Sequence, residues 1–222
     1  MKKFSIAIDG PAGAGKSTIA KIVADKLGYK YLDTGAMYRA VCWAARHNNI
    51  NYDDEAGLAK TVERLQLTLD YSAGSTKVYV DNVDITNEIR SVEISNAVSI
   101  VAQSASVRSA LVGMQRRLSD KGGIVLDGRD IGTAVLPAAE LKIFLTASAE
   151  ERARRRWEEL KNSGIMMDFS ELKKNIEARD YADSHRDISP LIKAEDAIEI
   201  DTTTMTIQQV SRKICDLCEE IC

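Results

Sequence analysis

A run of residues near the start of the chain has the types and spacing of a phosphate-binding loop. The segment GPAGAGKS matches G-x-x-x-x-G-K-[ST] and lies between an apolar stretch and a helical pattern. Its glycines would let successive backbone N–H groups converge on phosphate oxygens at a helix N-terminus. A bare match could be an ordinary glycine turn, but the flanking patterns favour a nucleoside triphosphate site. The contacts we assign to the triphosphate are Gly10, Pro11, Ala12, Gly13, Ala14, Gly15, Lys16, Ser17 and Thr18.

A second polar cluster, Asp127-Gly128-Arg129-Asp130, follows the apolar segment Ile124–Leu126. An aspartate at the end of such a strand is the usual partner of magnesium opposite a phosphate-binding loop. The sequence therefore predicts that Ser17 and Asp127 hold Mg²⁺, partly through water, beside the nucleoside triphosphate. Arg129 and Asp130 could instead form a plain surface ion pair, which would contribute little to stability.

The segment DTGAMYR, Asp33 to Arg39, follows another apolar segment and opens a helix. A helix N-terminus attracts anions, and Arg39 could bind a phosphate with two parallel hydrogen bonds. The alternative is a helix N-cap with an exposed arginine.

Two further strings are rich in charge. On one helical pattern Glu150–Arg154, Glu151–Arg155 and Arg155–Glu159 are i,i+4 pairs, typical of a solvated face. Arg152 and Arg156 share a face without an acid four residues earlier, so this spacing leaves surface and phosphate-binding roles open. The second string, Arg179–Arg186, contains His185, for which no nucleophile or orienting partner can be assigned.

Five short apolar segments are predicted to be buried parallel strands that position these residues. They are Phe4–Ile8, Tyr29–Leu32, Ile124–Leu126, Leu141–Leu145 and Ala197–Ile200. Helical patterns separate most of them, so we predict an α/β fold with helices on both faces of the sheet. Asp9, Asp33 and Asp127 end three of the strands, where open α/β sheets bind ligands.

Two other regions interrupt this pattern. Alternation between Leu65 and Ile85, with turns at 72–75 and 81–82, predicts a small antiparallel meander within residues 36–105. The charged region between Ser148 and Pro190 is predicted to form two helices, near 151–160 and 169–181, and is a candidate for a moving lid.

Composition narrows the class of protein. The 222 residues, 45% hydrophobic and 28% charged, suit one globular domain of a cytoplasmic enzyme, and no apolar run has the length of a membrane span. A net charge of -3 provides no field for attracting nucleic acid, and no heptad or apolar stripe predicts an oligomer, so we expect a monomer without nucleic-acid or membrane partners. Cys215, Cys218 and Cys222 fall on one face of a C-terminal helix, which favours packing over metal or redox use.

In combination these strings make the chain resemble the bacterial cytidylate kinases, nucleoside monophosphate kinases with a P-loop fold. The resemblance covers nearly the whole chain and rests on GPAGAGKST, LDTGAMYR, SNAVSIVA, LDGRDIGT, ASAEERARRR and EARDYADSHRDISPL. It implies a five-stranded parallel core (residues 1–35, 106–147 and 188–222), a monophosphate-binding insertion with a small antiparallel sheet (36–105) and a helical lid (148–187).

The resemblance also implies a reaction, the transfer of the γ-phosphoryl group of ATP to CMP or dCMP. The implied nucleotide-monophosphate contacts are Thr34, Tyr38, Arg39, Ser99, Arg108, Asp127, Arg129, Asp130, Arg179, Asp183 and Arg186. Arg152 and Arg156 match lid arginines that contact ATP. Lys16, Arg129, Arg156 and Arg179 would form the catalytic positive cage, without a general base. Thr34 replaces a serine found in some relatives, and Arg154 is an additional lid arginine.

The inventory of groups agrees with cytosine. An aspartate accepts from its amino group, while Arg and Ser donate to its acceptor atoms. Three alternatives compete: a P-loop kinase acting on UMP, AMP or shikimate, a GTPase switch and a nucleotide-binding regulatory module. The chain contains no N-K-x-D string of the kind that reads guanine.

Overall fold

The protein is described by a computed structural model, which covers residues 3–72, 75–162 and 164–221. Its strands are β1 (Ser5–Asp9), β2 (Lys30–Asp33), β3 (Leu67–Ser72), β4 (Ser75–Val80), β5 (Val83–Asp84), β6 (Ile124–Gly128), β7 (Leu141–Thr146) and β8 (Ile198–Asp201). Its helices are α1 (Lys16–Leu27), α2 (Thr34–His47), α3 (Glu55–Arg64), α4 (Val92–Val101), α5 (Ala105–Ser119), α6 (Ala149–Asn162), α7 (Phe169–His185) and α8 (Ile207–Ile221). A short 3₁₀ turn, Glu88–Arg90, precedes α4, and a π-helical turn, Ile131–Val135, follows β6.

The five predicted apolar segments form one parallel sheet in the order β2-β6-β1-β7-β8, so the predicted α/β fold is confirmed. The prediction that all five strands are buried is wrong for β8, which lies at the edge of the sheet and buries only Ile200. In this register Asp33 lies beside Asp127, and Asp9 lies beside Gly128. The three strand-ending aspartates therefore meet at one edge of the sheet, as predicted.

The alternation along each strand divides the core into two layers. On β6, Leu126 belongs to a cluster with α2, α4 and α5, whereas Val125 belongs to a cluster with α1 and α8. Successive side chains point to opposite faces of a sheet, so helices cover both faces. Cys218 is buried in the second cluster, which supports the predicted packing role of that helix face.

The predicted meander is confirmed as a three-stranded antiparallel sheet, in the order β3-β4-β5. Its inward side chains, Val78 and Val80, join the same apolar cluster as α2 and β6. Ala73, Gly74 and Cys222, to which the predicted turn and helix face extended, lie outside the described residues.

The two predicted helices of the charged region are α6 and α7, and α7 continues four residues past the predicted end. They pack on each other through a separate cluster centred on Ala153, Leu160, Leu172 and Ile176. Ser148 opens α6 by accepting a hydrogen bond from the Glu151 amide at 3.2 Å, as its sequence pattern predicts.

Within the described ranges, no single helix is long and apolar enough to cross a membrane, whereas α4 and α5, bent by 98° relative to each other, pass this test of length and composition as a pair.

Candidate active site

The phosphate-binding loop begins with a glycine that no other residue could replace without distortion. Gly10 has a φ of 143°, and a Cβ built there would lie 2.0 Å from the carbonyl oxygen of Leu145 on β7. Gly13 and Gly15 also have positive φ values, of 78° and 88°. The loop is thus held against the sheet edge with a backbone that favours glycine.

Lys16 is the first residue of α1, and its side chain lies inside the loop. Nζ donates a hydrogen bond of 2.7 Å to the carbonyl oxygen of Pro11, and only 5% of the residue is exposed. Burial, followed by the nearby charge of Arg129, holds the pKa of Lys16 well below its usual value. A bound anion would restore the stability of this ammonium group.

Asp127 ends β6 opposite the loop and has both carboxylate oxygens engaged. Ser17 donates to Oδ2 at 2.8 Å, and Tyr31 donates to Oδ1 at 2.7 Å. Burial, with the charge of Asp33 second, raises the pKa of Asp127 to about 6. These hard oxygen donors fit Mg²⁺, which usually takes one or two carboxylates and completes its shell with water and phosphate. Across the described part of the chain, no cluster of three or more His, Cys, Asp or Glu could serve as an all-protein metal cage.

The first residue of α2 is hydrogen-bonded to the end of β6. Asp33 accepts from the Ala36 amide at 2.9 Å, so it caps α2 as the second interpretation of DTGAMYR predicted. Thr34 donates from Oγ1 to the carbonyl oxygen of Asp127 at 2.7 Å. The other part of that interpretation is wrong, because Arg39 is not an exposed side chain. Its Nε atom is buried.

Arg39 lies in a group of arginines whose positive charges lower one another's pKa values. Burial lowers the pKa of Arg39, and the charges of Arg129 and Arg156 lower it further. Burial and then Arg129 lower the pKa of Arg179 to about 10. Among the described residues, neither Nε of Arg39 nor Nε of Arg179 has a hydrogen-bond partner. These arginines concentrate positive charge, and two of their N–H donors have no acceptor within the described residues. Such a group is suited to bind an anion that carries several negative charges.

A second buried polar group surrounds Asp130. Arg108 donates to its Oδ2, and Arg186 lies with a guanidinium nitrogen 3.4 Å from its Oδ1. The ring of Tyr38 lies 5.9 Å from Cζ of Arg108. The alternative of a surface pair between Arg129 and Asp130 is wrong, since Asp130 is only 6% exposed.

Arg129 pairs instead with α7. Its Nε donates to Oδ2 of Asp183 at 2.8 Å. Burial acts to raise the pKa of Asp183, but the charge and hydrogen bond of Arg129 outweigh it and lower the pKa. The string Arg179–Arg186 therefore joins the end of β6 through paired charges.

Of the four residues predicted to contact the base, Ser99 is the one for which the structure shows no bond to the group around Asp130. It lies on α4, and its hydroxyl donates to the carbonyl oxygen of Asn96 at 3.3 Å. The hydroxyl is thus directed along its own helix.

Arg152 and Arg156 differ from each other in the structure. Arg152 is buried, donates to the carbonyl oxygen of Ala12 at 3.0 Å and forms two hydrogen bonds with Asp180, of 3.0 and 2.5 Å. Arg156 is 41% exposed and pairs with Glu159 at 3.0 Å. Only Arg152 touches the loop directly.

Two predicted pairs on this helix are wrong. Glu150 forms an ion pair with Lys173 of α7 rather than with Arg154. Arg154 forms ion pairs with Glu151 and Glu158 instead. Arg155 keeps the predicted bond to Glu151 but not the one to Glu159, because its guanidinium turns to Thr202.

Two residues of the site were not predicted from the sequence. Tyr31 was included only as part of a buried strand, and Asp180 only as part of a charged string. No signal in the sequence identified Asp180, because its partner Arg152 lies 28 positions away on another helix. The register between β2 and β6 could have identified Tyr31. Tyr31 lies beside Val125, which comes two positions before Asp127 and therefore has its side chain on the same face of the sheet as Asp127.

Comparison with known proteins shows the family of the chain. The chain is 54% identical over 219 residues to the cytidylate kinase of Bacillus subtilis (strain 168), covering 99% of this chain and 98% of that protein. It is 56% identical over 218 residues to the cytidylate kinase of Listeria monocytogenes serotype 4a (strain HCC23), covering 98% and 97%.

Solved structures share the fold at low identity. A protein from Eubacterium ventriosum described as uncharacterized has a TM-score of 0.53 at 12% identity, covering 99% of both chains. A shikimate kinase from Bacteroides thetaiotaomicron has a TM-score of 0.50 at 14% identity, covering 97% of this chain and 98% of that one. A family model described as "Cytidylate kinase" matches residues 6–220, and with the identities above this shows that the chain belongs to the cytidylate kinase family.

Proposed function

We propose that this protein transfers the γ-phosphoryl group of ATP to CMP or dCMP, giving ADP and CDP or dCDP. The observation that carries the proposal is the buried arginine group at the sheet edge. Arg39 and Arg179 each bury an Nε without a hydrogen-bond partner in the described structure, beside Arg129. Unpaired buried charge is costly, so this group is best explained by a phosphate that completes it.

The donor triphosphate would lie in the loop from Gly10 to Thr18. Lys16 already lies inside that loop, and Arg152 is fixed to its backbone at Ala12. Ser17 and Asp127 would hold Mg²⁺, which neutralises charge on the phosphate oxygens when bound. Arg156, exposed on α6, would reach the donor only by exchanging its partner Glu159.

The acceptor base would be read by Asp130, with Arg108, Arg186 and Ser99 as donors. A carboxylate accepts from the amino group of cytosine, whereas uracil presents a carbonyl oxygen at that position. A buried acceptor left without a donor costs about 1–3 kcal/mol, which predicts a clear but finite preference for CMP over UMP. Thr34, Tyr38 and Asp183 would lie near the acceptor nucleotide and its sugar.

The chemical step would need no general base. The attacking phosphate oxygen of CMP is already ionised near neutral pH, so the contribution of the protein is placement and charge neutralisation. Lys16, Arg129, Arg156 and Arg179 would surround the group in transfer. Asp183 supports this arrangement by holding Nε of Arg129 at 2.8 Å, which fixes the direction of that guanidinium.

We also propose a division of work along the chain. Residues 1–35, 106–147 and 188–222 would form the core, residues 36–105 would hold the monophosphate and residues 148–187 would act as a lid. The separate apolar cluster of α6 and α7 supports a lid that moves as one body. Closure would exclude water from the reacting phosphates and suppress hydrolysis of ATP.

The test is ADP release from ATP and Mg²⁺ with CMP, dCMP, UMP, AMP and shikimate supplied separately. We expect fast turnover with CMP and dCMP, slow turnover with UMP and none with AMP or shikimate. Equal rates with CMP and UMP would remove the assigned role of Asp130. No turnover with any acceptor, together with intact ATP binding, would favour the regulatory module.

A further inference from the structure

Asp9 is a buried carboxylate that the proposed reaction does not use. It is the last residue of β1, stands between Gly128 and Phe144 in the sheet register and directly precedes Gly10. Only 4% of it is exposed. Burying a charged carboxylate costs folding free energy unless hydrogen bonds satisfy its oxygens.

Both oxygens of Asp9 bind the turn that follows Asp130. Oδ1 accepts from the backbone N–H of Ile131 at 2.8 Å, and Oδ2 accepts from the N–H of Gly132 at 2.7 Å. These are the first two residues of the π-helical turn Ile131–Val135. A carboxylate on two successive N–H groups at the start of a helical turn is a strong, directional pair of bonds.

The same turn fixes the backbone of Asp130 from its other side. The carbonyl oxygen of Asp130 accepts from the amides of Ala134 and Val135, at 2.9 and 3.1 Å. Asp130 therefore lies between two sets of hydrogen bonds that hold one turn. Because its side chain must lie between Arg108 and Arg186, any rotation of this turn would change the position of the carboxylate.

We propose that Asp9 is a positioning residue for base selection, which places Asp130 by holding the N–H groups of Ile131 and Gly132. This inference rests on the proposed function, since it assigns to Asp9 the geometry of the group that would read cytosine. Asp9 also interacts through its charge with Lys16, so a general effect on turnover is expected beside the effect on base selection. The ratio of the rates with CMP and UMP isolates the part that passes through Asp130.

The shape of the site explains why a carboxylate is required. Asparagine has nearly the same size, but its side-chain NH₂ group would face one of the two backbone N–H groups. One hydrogen bond would be lost, and two hydrogen-bond donors would then point at each other. A Cβ built at Gly132 would lie 3.4 Å from Oδ2 of Asp9, an ordinary contact distance, so the contact is changed most directly at Asp9 itself.

The experiment compares kcat/KM for CMP and for UMP in the full chain, in Asp9→Asn and in Ile8→Val. Ile8 is a fully buried neighbour on β1, and its shortening controls for a general loss of stability. We expect the CMP/UMP ratio of Asp9→Asn to fall by about tenfold, the scale of one charge-assisted hydrogen bond. The ratio of Ile8→Val should stay at the wild-type value. Amide hydrogen exchange at Ile131 and Gly132 should accelerate in Asp9→Asn alone.

The outcomes separate this inference from the function on which it rests. A wild-type protein without preference for CMP would overturn the proposed function. A wild-type preference that Asp9→Asn retains in full would overturn the role of Asp9 and leave the function standing. If Asp9→Asn does not fold, Asp9→Glu is measured instead, because its extra methylene displaces the carboxylate from the N–H groups of Ile131 and Gly132. An unchanged CMP/UMP ratio in that variant overturns the inference equally.

Discussion

The Tyr31 hydroxyl donates to Oδ1 of Asp127 across neighbouring strands at 2.7 Å. This bond leaves Oδ2 directed at Ser17, 2.8 Å away. The ring of Tyr31 is held in turn by an edge contact with Tyr71 on β3, with centroids 5.2 Å apart. The orientation of the carboxylate that would hold magnesium therefore depends on a side chain outside the proposed pair of metal ligands, Ser17 and Asp127.

Replacing Tyr31 by phenylalanine should weaken metal binding. Loss of an outer hydrogen-bond partner typically costs 10–100-fold in metal affinity, and we expect about tenfold for Tyr31→Phe. The measurement is Mn²⁺ binding in the presence of ATP, followed by electron paramagnetic resonance. Tyr29→Phe is the matched control, because within the described residues the Tyr29 oxygen accepts a long bond of 3.4 Å from the Phe4 amide, away from Asp127. Equal metal affinity in both variants would contradict the role of Tyr31.

Removal of Arg179 should separate turnover from ATP binding. Arg179→Ala is expected to lower kcat by about 10³-fold, the lower range for an arginine that stabilises a transferring phosphoryl group, while the Kd for ATP changes little. The thermal midpoint should rise or stay constant, since the variant removes a charge that burial and Arg129 disfavour. Arg154→Ala, at an exposed arginine paired with Glu151 and Glu158, is the control. Near-normal kcat in Arg179→Ala would exclude this arginine from catalysis.

Substitution of Gly10 should show the close approach of the loop to β7. Gly10→Ala places a Cβ within 2.0 Å of a backbone oxygen at a φ of 143°, so we expect a loss of more than about 3 kcal/mol in unfolding free energy. Gly28→Ala at the end of α1 has a φ of 64° but open space, and should lose only about 1 kcal/mol. Chemical denaturation measures both. Similar losses would mean that the contact with Leu145 adds nothing to the backbone strain.

Stability should depend on pH through Asp9. Burial raises its pKa from 3.8 to about 6, against the lowering effect of the hydrogen bonds from Gly132 and Ile131. A carboxyl whose folded pKa exceeds its unfolded value favours the folded state below both values, and this contribution is lost as the pH rises from about 4 to about 6. The unfolding free energy of wild type minus that of Asp9→Asn should therefore fall by up to about 3 kcal/mol across this window. Denaturation series at several pH values measure it, and a flat difference would refute the shift.

The sheet could be predicted closely from the sequence because its signal is local. Each predicted strand of the parallel sheet lies within two residues of the observed bounds, and the meander lies where its alternation begins and ends. Continuous apolar runs indicate burial on both faces, which holds for β1 and β6. The edge strand β8 is exposed at three of its four residues, and its position at the edge could not be predicted from its own sequence.

Pairing between side chains was less predictable, because it depends on elements distant in sequence. The i,i+4 rule assigned Glu150 to Arg154, but Lys173 of α7 lies within 2.5 Å of Glu150 and competes for it. Arg152 was expected to have no acidic partner on its own helix, yet Asp180 meets it from α7. Spacing along one helix cannot show which face of another helix packs on it.

The separate cluster of α6 and α7 has a consequence for how the molecule opens. The meander shares its apolar cluster with α2 and β6, whereas the α6–α7 pair meets the rest of the chain largely through ionic contacts such as Arg129–Asp183 and Arg186–Asp130. These two pairs are buried, so salt screens them little, and separating them is costly unless water or an anion takes over their charges. The α6–α7 pair should therefore open as one cooperative unit when its charges gain new partners, and amide exchange should show it opening before the meander, which stays protected until the whole chain unfolds.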